Sequence, residues 1–153
     1  MKPVRLLLLA GLLATLPVAA SEFSFKDIQG NEQRLSNYKD KWVLVNFWAT
    51  WCPPCLEEIP DLVDMHNTRA KSDFAVIGIA MSSSRDSVNA FAKQMEISYP
   101  IVMGNDKIIA QIGRVDALPT SYLYDPTGKL VSYQAGLITR EIIENFIRSK
   151  TKQ

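Results

Sequence analysis

The chain has 153 residues, 47% of them apolar, with 17 basic and 16 acidic side chains and a formal charge of +1. That length suits one domain with a core of useful size. The even charge balance gives no hint of nucleic acid, and the chain has no repeats, low-complexity tracts or charge blocks.

The first residues have the pattern of an export signal. Lys2 and Arg5 precede an apolar run from Leu6 to Leu16, and the small residues Val18-Ala19-Ala20 follow. Cleavage is expected after Ala20, which makes 1–20 a signal peptide and 21–153 the mature domain. The run falls short of the ~20 apolar residues of a membrane span, so an uncleaved anchor is the lesser alternative. No cysteine follows the site to carry a lipid. Losing the leader removes two basic residues and no acidic one, leaving a charge of −1.

"FSFKDIQGNEQRL" reads as a small hairpin turning at Gly30. "WVLVNFW" (Trp42–Trp48) and "FAVIGIAM" (Phe74–Met81) are apolar runs with almost no alternation, which suits strands covered on both faces of a parallel sheet. Between them the segment from Cys52 to about Ala70 reads as a helix, with Leu56, Ile59, Val63 and His66 near one face. Strand, helix and strand then form a crossover.

Ser84 caps a second helix, on which Val88, Phe91, Ala92 and Met95 recur at helical spacing. After the extended "YPIVM", Asn105 caps a shorter helix that carries Ile108, Ile109 and Ile112 and ends at Gly113. "TSYLY" and "KLVSYQA" flank the turn Asp125-Pro126-Thr127-Gly128 and predict a hairpin. Thr139 caps a last helix whose Ile142, Ile143, Phe146 and Ile147 cover the sheet. The Lys-rich end is a solvated helix terminus. These elements predict a three-layer α/β sandwich.

Cys52 and Cys55 are the only cysteines. Two thiols this close can staple a fold, hold a metal or exchange electrons. Stapling is the weakest reading, because so small a loop restricts the unfolded chain little and exported scaffolds use several bridges. A C-x-x-C at the strand-to-helix junction of such a core reads as a redox motif.

"VLVNFWATWCPPCLEEIP", "ALPTSYLYDPTGKL" and the segment Phe74–Ile112 together resemble the thioredoxin superfamily. Within it they are similar to the exported TlpA/ResA/CcmG-like thiol-disulfide oxidoreductases, as active-site signature, cis-proline loop with hairpin, and central insertion. The resemblance covers nearly all of the mature chain. It implies a thioredoxin fold with an N-terminal β-hairpin, and an extracytoplasmic, for example periplasmic, protein-disulfide reductase. One departure from cytosolic thioredoxin is Asn46, which stands where a buried aspartate is expected and cannot titrate. The branch places a glutamate three residues after the second cysteine, here Glu58.

Cys52 at the helix N-cap is the expected nucleophile, its thiolate favoured by the helix dipole. Cys55 resolves the mixed disulfide. Pro53 and Pro54 suit the first helical positions; they either only stiffen the turn or also moderate the acidity of Cys52 by removing two donors. Glu58, sharing a face with Cys55, is expected to be partly buried, with a raised pKa, and to handle the proton of Cys55. Glu57 is left as surface. The resemblance implies a cis Leu118–Pro119 bond, with Leu118 pairing with an extended client strand. Trp51 is expected as an apolar lip, and Pro60 as a kink in the helix. His66 is structural, about 11 residues and some ~16 Å of helix from Cys55, and no metal or cofactor is expected.

The resemblance implies protein disulfides as clients, apocytochrome c or copper-site thiols among them, and a membrane electron donor of the DsbD/CcdA type. The alternatives are a disulfide-inserting oxidant on the same site and, from a different class, a Cu(I)-binding chaperone. The second lacks the wider cysteine spacing and nearby histidine of such carriers. A peroxidase is weaker still, since Thr50 and Cys52 lack T-x-x-C spacing.

Overall fold

The computed structural model describes residues 22–151; the leader expected over 1–20 lies outside them. Two short antiparallel strands, β1 (Ser24–Lys26) and β2 (Glu32–Arg34), form the first hairpin. Its turn is held by the Asp27 carboxylate, which accepts from the amides of Gln29 and Asn31 and from the Gln33 side chain. Gly30 supplies the positive φ, +90°, that the reversal requires.

The centre is a five-stranded sheet. β3 (Trp42–Trp48) and β4 (Phe74–Ala80) run parallel, with Trp42 opposite Phe74 and Trp48 opposite Ala80, and every residue of both is buried, as their unbroken apolar runs predict. β5 (Ile101–Met103) pairs parallel with β4, β6 (Thr120–Tyr124) antiparallel with β3, and β7 (Leu130–Ala135) antiparallel with β6. The order across the sheet is β5-β4-β3-β6-β7.

Among the described residues, three α-helices, α1 (Pro53–Arg69), α2 (Arg85–Gln94) and α3 (Asp106–Ile112), connect these strands, and α4 (Arg140–Thr151) follows the last of them. Their starts are where the sequence places them. Ser84 accepts from the Ser87 amide at 3.1 Å, Asn105 from Lys107 and Ile108 at 3.0 and 3.2 Å, and Thr139 from Ile142 at 3.3 Å. Asp125 Oδ1 likewise closes the β6–β7 turn on the amides of Thr127 and Lys129.

Strand alternation divides β3 between two cores. Leu44 and Trp48 face α1, α2 and α4, where they meet Ile59, Leu62, Met65, Val88, Ile143 and Ile147. Val43, Val45 and Phe47 face α3 and the N-terminal hairpin, where they meet Phe23, Phe25, Ile108, Ile112 and Tyr122. The result is a thioredoxin-like α/β fold, with α2, β5 and α3 as its central insertion.

Two helix faces differ from expectation. α1 buries Cys55, Glu58, Ile59, Leu62 and Met65 rather than centring on Leu56 and Val63, which are half-buried. On α4, Ile143 and Ile147 are buried but Ile142 is 45% exposed, because it falls toward the sheet edge at β7. α1 continues through Pro60 as one element.

Gly78, opposite Asn46 in the sheet, lets the Trp48 and Tyr99 rings approach the backbone of β4 closely. A Cβ there would lie 2.9 Å from Trp48 Nε1 and 2.9 Å from Tyr99 Cε2. Gly78→Ala is therefore expected to cost ~1–3 kcal/mol through overpacking, measured by urea unfolding. An unchanged midpoint would show that the two rings yield freely.

Candidate active site

β3 ends at Trp48, and the turn through Ala49–Trp51 delivers Cys52 to the N-cap of α1, with extended backbone at φ −100° and ψ 102°. Pro53 and Pro54 take the first two helical positions, where a missing N–H leaves no helical bond unmade. The Cys52 carbonyl accepts from the Leu56 amide at 3.2 Å, which starts the helix. Cys55 follows, fully buried, and its sulfur is bonded to that of Cys52 across a Cα–Cα distance of 5.3 Å. The structure is the oxidised form.

Cys52 borders a groove of about 410 Å³. One wall is Trp51 with Pro53 and Pro54; the others are Met81-Ser82 after β4 and Val115–Leu118 before β6. Trp51 is 61% exposed, yet its indole N–H donates to the Ser82 carbonyl at 2.9 Å, which pins the ring. The Leu118–Pro119 bond is cis. Thr120 Oγ1 donates to the Ala117 carbonyl and the Gly136 amide to that of Pro119, fixing this wall. Asp116, paired with Arg114, carries the only charge on the lining. A larger pocket, about 540 Å³, lies at the other end of β3 between Tyr38–Lys41 and Asp125–Gly128, far from both cysteines.

Behind the disulfide, one helical turn beyond Cys55, stands Glu58. It is 2% exposed, deeper than the partial burial expected. Its Oε1 accepts from Asn46 Nδ2 at 2.6 Å and its Oε2 from the Ile138 amide at 2.9 Å. Burial pushes its pKa up to about 7, against the opposing pull of those two hydrogen bonds. Glu57 is exposed, as expected.

His66 is likewise where its spacing puts it, away from the sulfurs. Its Nδ1 accepts from the Val76 amide at 3.1 Å, which satisfies a backbone donor on β4 beyond the reach of the shorter β5, and burial lowers its pKa. It serves the sheet, not the disulfide.

The chain matches the model of the AhpC/TSA family over residues 18–133. It is 32% identical over 130 residues to the thiol-disulfide oxidoreductase ResA of Geobacillus kaustophilus, covering 85% of this chain and 75% of that one. With ResA of Bacillus subtilis the identity is 30%, over 84% of this chain and 72% of the other. The chain belongs to the AhpC/TSA family, among its ResA-type thiol-disulfide oxidoreductases. A solved thiol:disulfide interchange protein of the thioredoxin family from Chlorobium tepidum superposes with a TM-score of 0.78 at 30% identity, covering 88% of this chain and 97% of that one.

Membership of that family assigns Cys52–Cys55 as the exchanging pair. In the reduced enzyme one thiolate attacks a client disulfide, forming a mixed disulfide and expelling a client thiolate. The second thiolate then attacks the enzyme's sulfur in that bond, restoring the disulfide seen here and releasing the second client thiolate. Only Cys52 of the two borders the groove.

The sequence named Cys52, Cys55, Glu58, Trp51, Leu118 and Pro119: Trp51, Cys52 and Leu118 line the groove, Cys55 is bonded to Cys52 beside it, Pro119 follows Leu118 through the cis bond, and Glu58 stands behind the disulfide. It did not find Met81, Ser82, Val115 and Ala117, whose place on the groove depends on strand pairing. Nor did it find Ser121 and Ile138, which meet the Glu58–Asn46 pair from β6 and from the approach to α4, respectively.

Proposed function

We propose that the protein is an extracytoplasmic reductase of protein disulfides. Cys52 is its nucleophile, Cys55 its resolving thiol, and Glu58 the group that takes and returns the Cys55 proton. The observation that carries this reading is the Glu58 carboxyl, buried one turn beyond Cys55 and poised to titrate near neutrality. A thiol must lose its proton to attack, and a base whose pKa lies near the working pH does this best.

The groove supports an unfolded or extended client, because its walls are apolar and nearly uncharged. Trp51 supplies a rigid lip, and the backbone at Leu118 a strand for the client to pair with. The haem-binding cysteines of an apocytochrome c and copper-site thiols fit such a site. A membrane donor of the DsbD/CcdA type would return the pair to the dithiol. Export to the periplasm or an equivalent compartment rests on the leader pattern of residues 1–20; among the described residues, no helix is long and apolar enough to cross a membrane. The Cu(I) reading is not favoured, since the one histidine is engaged by the Val76 amide.

The deciding experiment is the reduction potential of Cys52/Cys55, titrated against a thiol buffer and followed by tryptophan fluorescence. A reductant is expected near the thioredoxin value of ~−270 mV. A potential near ~−120 mV would identify a disulfide-inserting oxidant instead.

A further inference from the structure

Asn46 stands fully buried in the middle of β3, with Gly78 opposite it on β4 and Ser121 opposite it on β6. Its Nδ2 donates twice, to Glu58 Oε1 at 2.6 Å and to Ser121 Oγ at 3.1 Å. Its Oδ1, equally buried, has no partner. An unpaired acceptor in an apolar core is costly and calls for an explanation.

Glu58 offers one. Its two oxygens face two donors, Asn46 Nδ2 and the Ile138 amide, which is the pattern of an ionised carboxylate. Once protonated, the carboxyl needs an acceptor for its own O–H. The Ile138 amide cannot be one. The Asn46 amide can, because a half-turn about its Cβ–Cγ bond exchanges Nδ2 for Oδ1 in nearly the same volume.

We propose that Asn46 is a positioning residue that serves both protonation states of Glu58, donating through Nδ2 to the carboxylate and, with its amide turned over, accepting through Oδ1 from the acid. Ser121 suits either state, since a hydroxyl both accepts and donates. Beside Glu58 stand Cys55, one turn back on α1 and bonded to Cys52 in this form, and the titratable Tyr99, ahead of β5. The buried Tyr99 phenol is raised by burial and by the charge on Glu58; His66 packs edge-on against its ring. Among the described residues, no lysine or arginine pairs with Glu58. The protonation state of Glu58 is therefore answered by a neutral amide rather than by a cation, and the proton can be taken and returned without leaving an O–H unpaired.

The inference rests on Glu58 as the proton acceptor, and its test separates the two. The oxidised wild-type protein, labelled with nitrogen-15 in asparagine side chains and carbon-13 in glutamate carboxyls, is titrated from pH 5 to 9 by NMR. The Asn46 amide protons are expected to shift with the midpoint of the Glu58 carboxyl, the Glu58-facing proton losing its downfield position as pH falls. A Glu58 carboxyl that titrates while the Asn46 amide stays still overturns the proposal. In Asn46→Leu, the infrared C=O band of protonated Glu58, identified by its loss in Glu58→Gln, is expected at higher frequency; an unmoved band also overturns it. If Glu58 is not the acceptor, Glu58→Gln keeps the wild-type exchange rate while the Asn46 amide of the wild type still shifts with the Glu58 carboxyl.

Discussion

Replacing Cys52 with serine is expected to abolish disulfide reduction, with a loss of at least ~10⁴-fold, on the scale found when a covalent nucleophile is removed. A serine hydroxyl is not ionised at neutral pH and cannot form the sulfur–sulfur bond of the mixed disulfide. Cys55→Ser acts differently. Cys52 still lies on the groove and still attacks, but nothing displaces the client, so the mixed disulfide accumulates. Mass spectrometry of each variant after mixing with a disulfide-bonded protein should find a covalent adduct for Cys55→Ser and none for Cys52→Ser. The reverse pattern would make Cys55 the nucleophile and overturn the order read from the groove. Either change lowers the stability of the oxidised protein by no more than ~2 kcal/mol, because the loop it opens is so short. Activity and stability therefore respond very differently to the same substitution.

The elements that frame this pair were legible because their signals are local. The unbroken apolar runs of β3 and β4, the caps Ser84, Asn105 and Thr139, and the two prolines opening α1 each state their structure within a few residues. The facing of α1 was not legible. Periodicity counts apolar side chains, and the inward face of α1 carries Glu58 beside Cys55, so the apolar centre is displaced toward Leu56 and Val63. The helix departs from simple amphipathicity at the residue to which chemistry is assigned. Asn46 shows the same limit. Sequence marks it as a departure from thioredoxin, unable to take a proton; only the fold shows that it hydrogen-bonds the carboxyl that can.

Glu58→Gln is expected to slow the resolving step by ~10²-fold or more at pH 7, the lower end of what a general base contributes. It should also remove the inflection near pH 7 from the single-turnover rate. Glutamine keeps the shape and can still accept from the Ile138 amide, but it cannot take a proton. The same substitution has a stability signature. A carboxyl whose pKa rises from 4.5 to about 7 on folding binds its proton more tightly in the native state than in the unfolded chain. Its contribution is therefore fully present below pH 4.5 and is lost as pH rises through 7. The shift corresponds to roughly 3 kcal/mol. Urea unfolding of the oxidised protein, in which neither cysteine titrates, should show the wild type losing stability between pH 5 and pH 8 and Glu58→Gln losing much less. Parallel pH profiles would place the native pKa of Glu58 near its unfolded value, where a carboxylate is too weak a base to relieve Cys55 of its proton. A flattened profile with an unchanged resolving rate would mean that burial perturbs Glu58 without employing it. Only the two effects together identify a carboxyl held at the cost of stability for proton transfer, which is the trade a buried acid behind a resolving thiol implies.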